Sequence, residues 1–355
     1  MKYALIGCGR IAPNHIAAAK ANGLEFVAIC DIAPEYMHDK EIKFDLYKVP
    51  QYTDYQAMLR EKKPDLVAIC TESGKHAEIA LDCIEAGCNV IIEKPIALSL
   101  EDADEIIKRG REKKVKVCVS HQNRFNKSIQ KIRDAIERER FGKLMYGTAH
   151  VRWCRDHEYY DRASWRGTWA QDGGALMNQC IHNIDLLRWM MGDEVEEVVG
   201  MTDRINHPYI EAEDLGIALV RFKNGSYGII EGTTNIYPKN LEETLYLFGT
   251  KGTVKAGGES VNRIEKWVFS DLLDEEETVL QEYSENPPNV YGYGHTPLYS
   301  DVIDAINHDR EPYVNAEAGR RALELVLGIY LSSAENRAVR FPLDSCSTID
   351  FIGKF

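Results

Sequence analysis

The chain has 355 residues, 44% hydrophobic and 28% charged, with a formal net charge of −13. That length holds two domains, each able to bury its own core. The acidic balance and the lack of any basic tract exclude nucleic acid as an expected partner, because phosphate backbones are bound largely through Lys and Arg. No run of about eighteen apolar residues is available to span a membrane.

The N-terminus, "MKYALIGCGRIAPNH", reaches a glycine turn at Gly7, too early for a signal-peptide core. Nine cysteines, with no CxxC pair, read as reduced thiols, so a cytoplasmic protein is expected. Through residue 120, β-rich runs alternate with helical stretches. The runs "YALIGCG", "EFVAICD", "LVAICT", "NVIIEKP" and "VKVCVSH" are predicted strands; "IAPNHIAAAKA", "DYQAMLREKK", "KHAEIALDCIEAG" and "LEDADEIIKRGREKK" are predicted helices. This alternation predicts an α/β Rossmann domain over 1–120, a doubly wound parallel sheet whose ligand lies at the strands' carboxyl ends.

The first strand runs into Gly7-Cys8-Gly9-Arg10-Ile11-Ala12, a GxGxxA turn opening a helix. Gly7 permits the tight turn, Gly9 lets a pyrophosphate approach, and the helix N-terminus faces the phosphates. Asp31 ends the second strand about 20 residues on, where an acid reads a ribose 2′-hydroxyl and repels a 2′-phosphate. NAD is therefore the expected cofactor. Nothing in the pattern calls for a metal.

The stretch "ICTESGKHAEIALDCIEAGCNVIIEKPIALSLEDADEI" resembles the centre of the Gfo/Idh/MocA oxidoreductases. Thr71, His76 and the tripeptide Glu93-Lys94-Pro95 occupy that family's signature places, and the likeness extends to "AEAGRRALELVLGIYLSSAEN". The resemblance implies cofactor contacts at Gly7, Gly9, Arg10, Ile11, Asp31, Thr71, His76, Glu93, Lys94 and Gln122. It further implies that the partner of Lys94 lies on a helix reading GGxxxDxGxHxxD. Gly173, Gly174, His182 and Asp185 fit; Asn178 replaces an Asp and Cys180 a Gly.

In "NQCIHNID", helical spacing puts Asn178, His182 and Asp185 on one stripe, while Met177, Cys180, Ile181 and Ile184 form a core-facing one. A polar stripe on so apolar a helix is costly unless it finds partners or faces a wet cavity. The family likeness makes it the wall of a substrate pocket. Alcohol oxidation needs a proton acceptor, worth about 10²–10⁴ in rate. A neutral Asn178 only donates and accepts hydrogen bonds, so His182 is the expected acceptor, with Lys94 polarising the hydroxyl. Lys94 as the base is the alternative. Asp185 is expected to support His182.

After "HQNRFN" the pattern changes to strands of alternating polarity: "LMYGTAHVRW", "VEEVVGMTDRIN", "DLGIALVRF", "SYGIIEGTT" and "ETLYLFG". They predict an α+β domain over 121–355 with a large open, mostly antiparallel sheet, and Asn224-Gly225 predicts a hairpin. A sheet with one uncovered face implies a homodimer or homotetramer. The segment "RWCRDHEYYDRASWRGTW" holds Arg155 and the pair Trp165-Arg166 among aromatics, a pattern for gripping phosphate or carboxylate. A Trp-Arg pair just upstream of the double glycine resembles cofactor contacts in some family members, so Trp165 and Arg166 are expected to serve NAD instead. "WRGTWAQDGGALMNQCIH" with "YGYGHTPLYSDVIDAI" resembles the family branch that oxidises C3 of UDP-N-acetylglucosamine or its uronic acid, which would set His295 and Tyr299 on the sugar side. The alternatives are a dehydrogenase of a free cyclitol or sugar such as inositol, a non-catalytic NAD-binding regulator, and an NAD-using glycosidase.

Overall fold

A computed structural model describes residues 1–287 and 290–355. The chain forms two compact units, residues 1–121 with 295–320, and residues 122–294 with 321–355.

The first unit alternates strand and helix: β1 (Lys2–Ile6), α1 (Ala12–Ala21), β2 (Glu25–Cys30), α2 (Pro34–Phe44), β3 (Gln51–Tyr52), α3 (Tyr55–Lys62), β4 (Leu66–Ile69), α4 (His76–Glu85), β5 (Asn89–Ile92), α5 (Leu100–Lys113) and β6 (Val117–Val119). The strands pair in parallel in the order β3-β2-β1-β4-β5-β6. They are covered on both faces, so β4 and most of β5 are apolar and fully buried rather than alternating. The order reverses between β1 and β4, the switch point where such sheets bind ligands. Helix starts are marked by side chains: Asp54 accepts the amides of Gln56 and Ala57 ahead of α3, and Ser99 that of Asp102 ahead of α5.

The second unit holds α6 (Lys127–Glu137), β7 (Leu144–Arg152), α7 (His157–Asp161), a π-helical turn Leu176–Cys180, α8 (Ile181–Met191), β8 (Val195–Asp203), β9 (Leu215–Phe222), β10 (Tyr227–Thr233), β11 (Glu242–Gly249), β12 (Gly252–Gly257), β13 (Arg263–Phe269) and α9 (Glu276–Glu282). The chain then returns to the first unit as α10 (His295–Asn307); α11 (Ala316–Glu335) follows, and β14 (Val339–Arg340) pairs with β8 in the second. The second sheet runs β13-β12-β11-β7-β10-β9-β8-β14, antiparallel except for β7 and β10, which pair in parallel. The predicted hairpin joins β9 to β10, with Gly225 at φ +83.

One face of this sheet packs on the π turn and α8. Glycines there admit the helix: a Cβ on Gly147 would lie 2.9 Å from Leu187 and Met191, and one on Gly232 would lie 2.6 Å from Cys180. The other face carries Met201, Leu219, Ile217 and Tyr227 at 76%, 60%, 49% and 52% exposure.

Candidate active site

In the first unit, the glycine turn is dictated by its neighbours. Gly7 has φ +91, and a Cβ would fall 2.6 Å from the Cys70 backbone after β4. Gly9 has nothing within 4 Å of its would-be Cβ, so its backbone is open to a close ligand. Ile11, at the cap position of α1, offers no side-chain acceptor, and the first turn holds no acid, which leaves its amides for an anion. Asp31 is held by two amides, Cys8 N–H to Oδ2 at 2.7 Å and Ala33 N–H to Oδ1 at 2.9 Å. Each oxygen keeps a lone pair for a vicinal diol. Ser120 Oγ, after β6, is buried without a hydrogen-bond partner among the described residues. These features fit a dinucleotide; Arg10, exposed, and Thr71, half-buried, flank the same strand ends.

His76 is placed beneath the strand ends, 1% exposed, with Nδ1 2.7 Å from Pro95 O and Nε2 3.2 Å from Thr71 O. Burial pushes its pKa down, so the neutral ring donates through one nitrogen, Nδ1 at the shorter contact. It braces the turn that follows Lys94. Lys94 itself is half-buried, with a cis peptide to Pro95. Glu93 lies inward, its Oε1 2.9 Å from His15 Nε2 and 3.9 Å from His295 Nε2. Burial works to raise this carboxyl, but the two imidazoles outweigh it and hold it well below the usual range. His15 Nδ1 contacts Tyr299 Oη at 2.8 Å, and Tyr299 Oη contacts Tyr3 Oη at 2.9 Å. The structure thus places His295 and Tyr299, 4% and 0% exposed, in the core of the cofactor unit rather than on an open wall. His15, Glu93 and His295 have the make-up of a cation site, yet His15 and Glu93 already satisfy each other.

In the second unit, Gly173 and Gly174 (φ +86 and +90) lead into the π turn that carries Asn178. Met177, Cys180, Ile181 and Ile184 are buried to 1% or less, as the apolar stripe requires. Asn178 and His182 are half-buried. The Asn178 amide donates to Asp172 Oδ1, while Asp172 Oδ2 accepts Gly167 N–H at 2.7 Å. A carboxylate at 178 would face that of Asp172, which explains why the amide suits this chain.

Asp185, on α8, is paired with arginines. It is fully buried and takes Arg124 as a fork, with Arg188 3.7 Å away, because a buried carboxylate requires a matched cation. Gln122, 2% exposed, lies 3.5 Å from Asn123 Oδ1.

The arginine-rich segment sorts into two pairs. Arg152 is bound by Glu231 and Glu242, and Arg162 by Glu158. Arg155 and Arg166 instead stack on the Tyr159 ring, at 5.1 and 4.1 Å from its centre, and make no carboxylate ion pair among the described residues. Arg155 also covers Trp153, and Arg166 lies 5.4 Å from the Trp165 ring. Gln179 Nε2 donates to Tyr159 Oη at 2.9 Å, tying the cluster to the π turn.

Sequence reasoning missed Arg124 and Glu213, whose partners Asp185 and Leu176 lie 61 and 37 residues away, and Asp172, whose partners Gly167 and Asn178 are local and whose "QDGG" context offered a signal.

A nucleotide-accepting switch point in one unit and a histidine-bearing helix in the other are the features of a dinucleotide-dependent oxidoreductase. Residues 1–121 match the oxidoreductase family with the NAD-binding Rossmann fold, and residues 129–255 match the GFO/IDH/MocA C-terminal domain. The chain is 38% identical to the WlbA dehydrogenase of Bordetella pertussis, a structure in complex with NADH and UDP-GlcNAcA, over 97% of this chain and 98% of that one, with a TM-score of 0.90. The WlbA dehydrogenase of Chromobacterium violaceum, with the same two ligands, is 36% identical over 97% and 96%, with a TM-score of 0.88. A myo-inositol 2-dehydrogenase of Thermotoga maritima is 26% identical over 96% of this chain and 98% of its own length. The chain belongs to the Gfo/Idh/MocA oxidoreductase family, and its cofactor is NAD.

Proposed function

We propose that this NAD-dependent sugar dehydrogenase oxidises a secondary hydroxyl, that at C3, of a nucleotide-linked amino sugar such as UDP-N-acetylglucosamine or its uronic acid. The observation that carries the nucleotide is the Arg155–Tyr159–Arg166 stack. In a chain of net charge −13, two guanidiniums that make no carboxylate ion pair among the described residues, braced on an aromatic ring, suit a diphosphate. The likeness to two dehydrogenases crystallised with UDP-GlcNAcA supports the same substrate class.

Bound NAD would supply the hydride acceptor for the carbinol carbon. Gly7, Gly9, Ile11 and Asp31 hold the dinucleotide, with Arg10, Thr71, Gln122 and Ser120 beside it. Lys94 donates to the substrate oxygen and steadies its developing negative charge. His182 accepts the hydroxyl proton. Asn178, fixed by Asp172, orients the sugar ring. A free cyclitol is the second reading, favoured by the full-length likeness to an inositol dehydrogenase.

NADH formation across UDP-sugars, free hexoses and inositols separates the two. Turnover of a UDP-amino sugar, with competition by UDP, is expected; turnover of inositol alone, with no effect of UDP, overturns the nucleotide reading.

The nine cysteines are free thiols, which supports a cytoplasmic protein. No helix among the described residues is long and apolar enough to cross a membrane. The exposed Met201, Ile217, Leu219 and Tyr227 support a homodimer or homotetramer built on this sheet face. Light scattering of Leu219→Lys should then show a smaller species than the parent chain.

A further inference from the structure

Behind the Gly173-Gly174 turn lies a buried acid that the chemistry above does not use. Glu213, before β9, is fully buried. Its Oε2 accepts Ala175 N–H at 2.9 Å and its Oε1 accepts Leu176 N–H at 2.6 Å, the first two amides of the segment that becomes the π turn and α8. A Cβ on Gly174 would fall 1.6 Å from Oε2. The carboxyl therefore occupies the space that makes glycine obligatory at 174.

Tyr330 of α11 completes the arrangement. Its Oη lies 2.9 Å from Glu213 Oε1, 2.6 Å from Gly173 O and 3.2 Å from Met177 N. Tyrosine has one hydrogen to give, and Gly173 O is the nearer acceptor. The Glu213 contact is then satisfied only if the acid carries a proton and donates it to Tyr330 Oη. With Glu213 neutral, every hydrogen in the cluster has an acceptor: Tyr330 O–H to Gly173 O, Glu213 O–H to Tyr330, Met177 N–H to Tyr330, and the two amides to the carboxyl, with Ala175 N–H also 3.1 Å from the Glu213 backbone O. Burial also pushes this acid well above the ordinary carboxylate range, in the same direction.

We infer that Glu213 and Tyr330 are positioning residues for the sugar side of the reaction: together they fix the glycine turn and the π-helical register from which Asn178 and His182 project. π turns inside helices mark functional sites because the extra residue re-aims the side chains around it. Here the clamp grips Ala175 and the first residues of that turn, Leu176 and Met177, and Asp172 holds Asn178 within it. This inference rests on the role proposed for His182.

The test is a double-mutant cycle on the full-length enzyme. Tyr330→Phe removes one hydroxyl at constant shape, and Glu213→Gln keeps an acceptor for one amide but not for both. For each folded variant, kcat on the sugar should fall at least about tenfold, with NADH binding within about twofold of the parent. Added to His182→Ala, each change should slow the residual rate by less than it slows the parent, because part of its effect runs through that group. Tyr330→Phe guards against the case in which Glu213→Gln does not fold. Parental kcat in folded Tyr330→Phe overturns the inference, as does an effect that multiplies undiminished onto His182→Ala. Parental kcat in His182→Ala alone would instead overturn the role of His182, so the two failures are distinguishable.

Discussion

Arg124 and Asp185 meet as a fork, Nε 2.7 Å from Oδ2 and Nη2 2.6 Å from Oδ1, with side chains 4% and 0% exposed. Trp189 covers the guanidinium at 4.6 Å. Such a pair is weak evidence for stability as a unit, yet breaking it leaves one buried charge without its match. Arg124→Met should lower unfolding stability by about 3–5 kcal/mol in denaturant titrations. Arg124→Met with Asp185→Leu should recover much of that loss. Equal stability of parent and single variant would show that the fork does not neutralise Asp185.

Asp31 offers both oxygens to amides and keeps lone pairs for a ribose diol. Asp31→Asn places an NH₂ group against one of those amides and removes the negative charge. Charge-assisted hydrogen bonds contribute about 1.5–3 kcal/mol, so NAD affinity should fall about ten- to hundredfold. Discrimination against NADP should narrow at the same time, since the repulsion of a 2′-phosphate is gone. Cofactor titration by NADH fluorescence measures both, and unchanged NAD affinity would contradict the assignment.

Much of this was legible in the chain. The strands of the first unit stand out as apolar runs ending at glycine or polar residues, because a sheet covered on both faces tolerates little else. Helix α2 was not legible: only Met37 and Lys40 are buried, so no apolar stripe marks it. Strand β3 has two residues, too few for a pattern. In β12 and β13, lysines and small residues blur the alternation that marks β9. The stripe of Asn178, His182 and Asp185 was read at uniform helical spacing. A π turn intervenes, and Asp185 serves Arg124 through a contact 61 residues away in sequence. His295 and Tyr299 follow the second sheet in chain order, and only the return of α10 to the first unit places them with His15.

If Arg155 and Arg166 grip a diphosphate, each adds a charged contact that water and salt weaken. Arg166→Ala should weaken UDP as a competitive inhibitor by about tenfold or more. The effect should shrink as ionic strength rises. A free-sugar substrate should lose little. Equal inhibition by UDP in parent and variant would remove Arg166 from substrate binding.

Glu243 on β11 is 2% exposed, and burial raises its carboxyl to about 8. The folded chain therefore keeps a proton that the unfolded chain releases near the ordinary value of 4.5. Between those values the folded state binds more protons, so this group's contribution to stability falls as pH rises through the window and levels above about 8. Glu243→Gln carries no such proton. Compared by denaturant titration at about pH 5 and about pH 8.5, the variant should lose less stability than the parent on going to the higher pH. Identical losses would show that Glu243 is not a buried neutral acid.

The proton assignment is open to a direct kinetic reading: the single-turnover rate of NADH formation in Lys94→Met and His182→Ala, each saturated with NAD and a UDP-amino sugar. Both should be slowed by about 10²–10⁴ with NAD still bound, the range that a positioned acid/base supplies. A His182→Ala enzyme that forms NADH at the parental rate would contradict the account.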